Sequence, residues 1–411
     1  MSGGESSPHE VAITGLGLIS PLGDRLEDFE AALSQGAARF VAPACLAGAE
    51  LEGALAAELP GFDPGRYLGA GNFRPLDRTG LLASSAARLA LDDAGLDPGE
   101  DGRELGLVLG TMFGSLHTIS EFDRRGLTEG PIYAKPMDFA NSVINAAAGQ
   151  AAIWHHLTGV NATITGGFGA GLAALGYAAD LVAWGHAPAL LAGGADELAL
   201  ESYLGFERQG LVAPPGREPR PFDAARAGFV PAEGAALLAL EPLAAARARG
   251  ARLRARLLGW ASSFDATRGV ESRRAAAAAA RAMEGALAAA GLDTEAVDAV
   301  LASANGSLDG DLQEALALAQ VFGGRLPEVP VAALKGSLGE ALGVSGALLA
   351  AALVAALETQ QLPGTRGLEC LERDWPPLAW SAEARQLRLR VGLIHASSAD
   401  GQHYALVIAE P

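Results

Sequence analysis

Continuous apolar runs alternate along the chain with longer Ala-rich segments in which small residues repeat at helical spacing. Runs such as residues 106–110 and 189–194 have no polar position, which is typical of strands covered on both faces. The Ala-rich segments favour closely packed helices, and Gly marks turns and close backbone approaches. We predict strands at residues 11–14, 106–110, 163–165, 189–194, 234–240, 297–302, 387–393 and 404–408, and helices at residues 26–33, 78–92, 142–157, 172–184, 273–290, 313–322 and in a segment ending at residue 358.

The second half of the chain repeats the plan of the first. A helical segment closes with DLVAWG at residues 180–185 and with ALVAAL at residues 352–357, and the β runs ALLALEP and YALVIAEP end the two halves. We therefore expect an α/β protein of two similar halves, residues 1–245 and 246–411, whose sheets lie back to back around shared central helices. No low-complexity linker separates the halves, so one compact unit is expected.

Charge and hydropathy exclude several classes of protein. The chain has 48 acidic and 30 basic residues and a net charge of −18, whereas nucleic-acid and anionic-membrane surfaces need clustered cations. The longest apolar stretch, residues 341–357, is interrupted by Gly and Ser and is expected to be a buried helix. The N-terminus has no apolar signal core, and two cysteines form no disulfide framework. A cytoplasmic protein is expected.

Two features could be mistaken for cofactor or metal sites. The Gly-rich turn GGFGAG at residues 166–171 is not followed by the Lys-Ser/Thr pair of a phosphate-binding loop, so a close-packed turn is expected. His155 and His156 are adjacent and would point to different faces of a helix, with no third ligand nearby in sequence. We therefore expect neither a cofactor nor a metal.

Three motifs in this order resemble the β-ketoacyl synthase family of condensing enzymes. VAITGLGLISPLG at residues 11–23 is similar to the family's opening segment. RPFDAARAGFVPAEGA at residues 220–235 resembles its RPFDxxRDGFVxGEGA signature, and VAALKGSLGEALG at residues 331–343 resembles its KSxxGHxxGA segment. The resemblance covers nearly the whole chain and implies a thiolase-like fold with duplicated, layered αβαβα halves.

The departures from these motifs fall on the positions that carry the family's chemistry. The nucleophile turn, TACxSG in the family, places Phe168 at the cysteine, and a phenyl ring cannot form a thioester. In the segment resembling HGTGTxxND, Asn305 stands at or near the family's first catalytic histidine. In the segment resembling KSxxGHxxGA, Glu340 replaces the second histidine and Lys335 is retained. The last motif, FGFGGTN, is SSADGQH here, so Ala399 stands at its gating aromatic. The resemblance implies that no catalytic set is intact.

This pattern resembles the chain-length-factor subunits of type II polyketide synthases. They lack the cysteine and pair with an active ketosynthase, although the better-known ones carry Gln where this chain has Phe168. The resemblance implies a noncatalytic subunit in polyketide or fatty-acid-type chain elongation. Its partner would be a ketosynthase with intact Cys-His-His, and acyl carrier protein would be engaged indirectly.

The resemblance also places a tunnel or interface in the segment at residues 110–122. Its apolar side chains at helical spacing are either plain core or the floor of the partner's acyl tunnel, with Ala399 at the former gate. The candidate residues are Phe113, Leu116, Ile119 and Phe122.

Two other functions remain open on the same fold. One is a decarboxylase or acyltransferase that uses Lys335, Glu340 and Asn305 without a covalent step, and the other is a homodimeric acyl-binding scaffold. The expected state of Lys335 is a structural ion pair with Glu340, Asp311 or Glu314, because leaving one partner of a buried pair alone is costly.

Overall fold

The computed structural model describes residues 8–47, 51–98, 104–267 and 270–411. The strands are β1 (Val11–Ile19), β2 (Leu105–Thr111), β3 (Asn161–Thr165), β4 (Ala189–Asp196), β5 (Gly234–Pro242), β6 (Ala255–Phe264), β7 (Ala299–Leu301), β8 (Val331–Ala332), β9 (Gln361–Leu362), β10 (Arg385–Gln386), β11 (Val391–Ser397) and β12 (Gln402–Ala409). The α-helices are α1 (Leu26–Ser34), α2 (Gly65–Leu68), α3 (Arg78–Ala94), α4 (Leu116–Thr128), α5 (Pro136–Ala140), α6 (Ala146–Trp154), α7 (Ala170–Ala183), α8 (Leu200–Arg208), α9 (Leu243–Ala248), α10 (Ser272–Ala289), α11 (Leu308–Phe322), α12 (Lys335–Leu338) and α13 (Ser345–Thr359).

Ten strands form one hydrogen-bonded series whose two halves have the same topology. The order is β3-β2-β4-β5-β1 followed by β6-β12-β11-β7-β8, and β1 pairs with β6 at the junction. In the first half the pairs β3–β2 and β2–β4 are parallel, and β4–β5 and β5–β1 are antiparallel. In the second half the corresponding pairs β8–β7 and β7–β11 are parallel, and β11–β12 and β12–β6 are antiparallel. This repetition agrees with the expected duplication, and the boundary between residues 245 and 246 stays a prediction.

Helices α7 and α13 form the central layer between the two half-sheets. A Cβ on Gly171 would lie 2.7 Å from the carbonyl oxygen of Gly343, and a Cβ on Gly346 would lie 2.7 Å from the Cβ of Leu172. Glycine at these two positions therefore allows the helices to touch. The apolar segment Leu342–Thr359 is long enough to cross a membrane, but it is 89% buried within the protein, as expected of a core helix.

The first strand is longer than predicted because its glycines do not end it. Strand β1 continues through Gly15 and Gly17 to Ile19, all of it buried. A Cβ on Gly15 would lie 2.5 Å from the Cβ of Ala94, and one on Gly17 would lie 2.1 Å from the carbonyl oxygen of Ala86. The two glycines allow α3 to lie directly on the strand, so they serve packing rather than a turn.

One side of the first half leaves both a sheet edge and apolar side chains uncovered. Strand β3 is at the end of the strand order, and its residues are exposed or half-buried. Helix α4 packs against α5, and α6 packs against β3. We call the exposed apolar side chains of this region the α4–α6 patch: Leu127, Ile132, Tyr133, Met137, Phe139, Val143, Ile144 and Ile153.

Candidate functional site

Phe168 lies in the tight turn between β3 and α7. The turn is a short 3-10 helix, Gly167–Gly169, in which Gly167 has a φ of +56°, a region that favours glycine. A Cβ on Gly167 would lie 2.0 Å from the hydroxyl of Ser398, and one on Gly169 would lie 2.3 Å from the ring of Tyr404. The glycines thus let the turn pack against Ser398, just after β11, and against Tyr404 of β12, and the turn places Phe168 between the halves.

The Phe168 ring packs against other phenyl rings on one side. Phe168 is only 4% exposed, and its ring centroid lies 5.7 Å from that of Phe206 and 5.6 Å from that of Phe229. Phe206 and Phe229 contact each other edge to face at 5.4 Å, and Phe113 adds a ring 6.0 Å from Phe206. Leu342 completes this cluster, which we call the phenyl cluster. Such contacts stabilise a well-packed core on this side of the Phe168 ring.

A buried ion pair lies next to the phenyl cluster. Lys335 Nζ donates to Glu340 Oε2 at 2.8 Å, and the two side chains are 2% and 0% exposed. Asn305 Nδ2 donates to the same oxygen at 2.7 Å, and Ser345 Oγ donates to Glu340 Oε1 at 2.5 Å. The structure therefore brings three of the predicted site residues together and pairs Lys335 with Glu340 rather than with Asp311 or Glu314. Lys335 Nζ lies 5.9 Å from the centroid of the Phe168 ring.

A cavity of about 270 Å³ opens on the other side of Phe168. Phe168 and Asn305 lie in its wall, and Ala399 lies at an exposed turn on its rim. Neither Lys335 nor Glu340 lines it. The charged pair is thus shielded from the space in which a ligand could bind.

Asp311 fixes the loop that forms one wall of this cavity. Its carboxylate accepts backbone N–H groups from Phe222 at 2.7 Å and Asn305 at 3.0 Å, and Gly306 donates to it as well. Burial raises the pKa of Asp311 to about 7, although the backbone hydrogen bonds oppose this rise. Asp311 therefore holds the loop around Asn305 rather than facing the cavity as a free acid.

Ser303 is a further residue of the site that was not predicted from the sequence. This residue is 4% exposed and lines the cavity, and its Oγ lies 3.5 Å from Lys335 Nζ and accepts the backbone N–H of Ser397 at 2.9 Å. A signal was present, because the histidine of HGTGTxxND stands eight residues before the aspartate. Counting back eight residues from Asp311 gives Ser303, two residues before Asn305.

The structure separates the residues predicted for a tunnel or interface. Phe113 belongs to the phenyl cluster of its own chain. Leu116, Ile119 and Phe122 lie on α4 and are half-buried, and the Phe122 ring contacts Phe139 of the α4–α6 patch at 5.9 Å. The α4 residues therefore lie beside the uncovered surface, whereas Phe113 does not depend on a partner for its packing.

Comparison with known protein families gives two matches. The β-ketoacyl synthase N-terminal domain matches residues 9–246, and the β-ketoacyl synthase C-terminal domain matches residues 254–369. A polyketide β-ketoacyl synthase 2 of Streptomyces halstedii is 34% identical over 98% of each chain. The 3-oxoacyl-[acyl-carrier-protein] synthase 2 of Coxiella burnetii is 30% identical over 97% of this chain and 98% of its own.

Solved structures confirm the predicted thiolase-like fold. The ishigamide ketosynthase/chain length factor superposes with a TM-score of 0.93 at 29% identity, over 98% of this chain and 100% of its own. A β-ketoacyl synthase from Burkholderia phymatum gives 0.90 at 30% identity over the same shares. A type II polyketide ketosynthase, in complex with its acyl-carrier protein and bound to the hexaketide, gives 0.87 at 25% identity over 98% and 100%.

Proposed function

The chain belongs to the β-ketoacyl synthase family, and from this premise we propose that it is a noncatalytic, chain-length-factor-like subunit of a ketosynthase pair. Its partner would be a ketosynthase subunit with an intact Cys-His-His set. The pair would extend an acyl chain on acyl carrier protein in the cytoplasm, in polyketide or fatty-acid-type synthesis.

The phenyl ring at position 168 is the observation that carries this proposal. Condensation in this family requires a thiolate that accepts the acyl group, and a phenyl ring offers no nucleophile. Phe206 and Phe229 pack against the Phe168 ring from one side and hold it at the nucleophile position. Because Glu340 and either Ser303 or Asn305 stand where the family has two histidines, and Glu340 is paired with Lys335, no imidazole is present there to transfer protons.

The geometry disfavours a non-covalent decarboxylase. Both carboxylate oxygens of Glu340 accept hydrogen bonds within the protein, and Lys335 donates to one of them. Neither residue reaches the cavity wall, so neither can meet a bound malonyl group without rearrangement. Asn305 alone offers no titratable group.

The uncovered side of the first half supports pairing with another subunit. An exposed edge strand such as β3 favours addition of a further strand, and large exposed apolar side chains such as those of the α4–α6 patch are typical of an interaction site. Stable interfaces of permanent complexes bury roughly 2,000 Å² or more. The net charge of −18 makes this subunit a poor docking face for an acidic carrier protein, so the catalytic subunit would supply that face.

A charge placed in the α4–α6 patch should break the pair. Ile132 is 87% exposed in the patch, and Val270 is 85% exposed outside it. Ile132→Asp should weaken association with a Cys-His-His ketosynthase by at least ~tenfold, because an unpaired carboxylate would be buried. Val270→Asp is the matched control and should leave association unchanged. Gel filtration and light scattering of the co-expressed subunits measure the association. Equal association of both variants would contradict the proposed interface.

Enlarging half-buried side chains of α4 should shorten the product of the pair. Leu116→Trp or Ile119→Trp would raise the floor of the partner's tunnel while leaving the partner's chemistry untouched. We expect a shorter product distribution by mass spectrometry, with turnover retained. If both variants form intact pairs and give the wild-type distribution, these residues do not line the tunnel.

A further inference from the structure

Helix α4, which carries part of the α4–α6 patch, has few contacts that hold it to the rest of the protein. None of its 13 residues is buried, and it packs against α5 and α8. A helix of this length is marginally stable on its own in water, so the contacts at its ends decide whether it stays in place. Segments with few buried contacts open locally at a much lower cost than the core does.

The first turn of α4 is capped by a residue from a distant strand. Ser115 stands at the N-cap position but makes no side-chain hydrogen bond to the helix. Glu197, directly after β4, supplies the acceptor instead, because its Oε1 accepts the backbone N–H of His117 at 3.1 Å. Thr79 on α3 adds a second contact, since its Oγ1 donates to the carbonyl oxygen of Gly114 at 3.1 Å. A carboxyl group 80 positions away in sequence therefore fixes the start of the helix.

Glu197 lies among more acidic than basic groups and is only 7% exposed. The charged or titratable groups around it and around the first turn of α4 are Asp77, Arg78, His117, Glu201 and Glu233. Glu233 is fully buried and also accepts the backbone N–H of Leu198, the residue next to Glu197, at 3.2 Å. Arg78 donates two hydrogen bonds to Glu233, at 2.6 and 2.7 Å. The nearby guanidinium is therefore bound to Glu233 rather than to Glu197.

These surroundings favour the protonated form of Glu197. Burial raises the pKa of Glu197 to about 8, Asp77 and Glu233 raise it further, and the His117 N–H and Arg78 oppose the rise. Once α4 has opened and the carboxyl group is in water, its pKa returns to the ordinary value of 4.5. Opening therefore releases a proton between pH 4.5 and about pH 8. It becomes more favourable as the pH rises through this window and levels off above it.

We propose that α4 is a proton-controlled flap: the protonated side chain of Glu197 holds the first turn of the helix closed, and loss of that proton allows α4 to open. The acceptor of the His117 N–H then leaves the acidic cluster for water, and the start of the helix loses its cap. Because α4 carries Leu127 of the α4–α6 patch, opening changes the surface that a partner subunit would meet. This link to pairing rests on the proposed function, whereas the opening itself does not.

Hydrogen–deuterium exchange of the full chain, followed by mass spectrometry of the α4 peptides, measures this opening. After correction for the intrinsic exchange rate of each amide, the opening constant of α4 should rise about tenfold between pH 7 and pH 9. Glu197→Gln, which has the shape of the neutral carboxyl group, should remove this rise. Helix α13, buried in the central layer, is the internal reference for effects of pH on the whole protein.

Two neighbouring groups also respond to pH and are controlled separately. His117 Nδ1 lies 3.5 Å from Glu201 Oε1, and deprotonation of this histidine would weaken the contact and loosen the helix as well. Glu201→Gln is the matched control, and the pH dependence of α4 should persist in it. Burial raises the pKa of Asp196, the residue before Glu197, to about 6, so this carboxyl group is largely ionised throughout the measured range.

Three results would overturn the inference: constant opening of wild-type α4 between pH 7 and pH 9, an unchanged rise in Glu197→Gln, or loss of the rise in Glu201→Gln alone. Thermal unfolding checks that each variant folds. If Glu197→Gln does not fold, Asp77→Asn replaces it, because asparagine still caps α3 but removes a charge that raises the pKa of Glu197. The rise should then be smaller than in the wild type, and an equal rise would contradict the inference.

The same exchange measurement on the complex with a ketosynthase subunit tests the proposed pairing separately. Pairing through the α4–α6 patch should slow the exchange of α4, because the partner would cover the helix. Equal exchange with and without the partner would count against the proposed interface alone, since the pH dependence belongs to the unpaired chain.

Discussion

Glu340→Leu is expected to lower the free energy of unfolding by about 3–5 kcal/mol, because it leaves a buried ammonium without its counter-ion. Lys335 is 2% exposed and donates to Glu340 at 2.8 Å, and the loss also removes the acceptor of Asn305 and Ser345. The double variant Lys335→Met/Glu340→Leu should recover most of this loss, since replacing both members of a buried pair with apolar residues is often neutral. Urea unfolding of the wild type, both single variants and the double variant measures the coupling.

An exposed ion pair in the same chain provides the control for this cycle. Arg388 and Glu410 lie 3.2 Å apart with side chains 69% and 36% exposed, and such a pair contributes about 0–1 kcal/mol. The cycle Arg388→Met/Glu410→Leu should therefore show little coupling. If the Lys335–Glu340 cycle shows equally little, then the pair is not a buried structural element, and a chemical role for these residues would regain support.

Local pattern predicted the elements of the fold better than their ends. The prediction for residues 142–157 holds only for Ala146–Trp154, because Ser142–Asn145 form turns and His156 takes a positive φ of 56°. The strand predicted at residues 387–393 lies instead at Val391–Ser397. Its second part contains His395 and Ser397, which are polar and would not be assigned to a buried strand from hydropathy. Their hydrogen-bond partners, Glu314 and Ser303, lie more than eighty residues away in sequence.

In the candidate site, too, contacts between segments distant in sequence could not be predicted from local motifs. The lost nucleophile at Phe168 and the replacement at Glu340 were visible in sequence because parts of the family's motifs, such as Lys335, are retained. The first lost histidine was assigned to Asn305, whereas the spacing from Asp311 gives Ser303. The residues that pack against Phe168 were not visible in the sequence. Phe206 lies on α8 and Phe229 in the segment before β5, and no local motif connects them. His403 stood within a quoted motif, yet only the structure shows that its ring nitrogens are unpaired.

Phe168→Cys should not convert this chain into a condensing enzyme. The substitution supplies a sulfur at the nucleophile position but removes most of a buried ring, and a Phe→Ala change of this kind costs about 3–5 kcal/mol. The new thiol would face the Lys335 ammonium, which lies 5.9 Å from the centroid of the present ring. Alkylation by iodoacetamide is therefore expected, whereas condensation is not.

The missing imidazoles account for the difference between a reactive thiol and a catalyst. General acid–base groups and donors to a developing oxyanion each contribute roughly 10²-fold or more to the rate. With Glu340 and either Ser303 or Asn305 in place of two histidines, condensation should remain at least ~10⁴-fold below that of a ketosynthase with Cys-His-His. Intact-mass spectrometry with acyl carrier protein thioesters measures acylation of the thiol, and a condensation assay with malonyl carrier protein then measures carbon–carbon bond formation.

Two triple variants complete the test and identify the position of the first lost histidine. Phe168→Cys/Glu340→His is combined with Ser303→His in one and with Asn305→His in the other, and we expect any recovered condensation in the first, since Ser303 has the motif's spacing from Asp311. The wild-type chain should take no acyl group at all. A stoichiometric adduct on the wild type, with Ser303 beside Lys335 as the nearest candidate acceptor, would contradict a noncatalytic subunit. Sustained condensation by Phe168→Cys alone would show that Asn305 and Glu340 do not prevent the reaction.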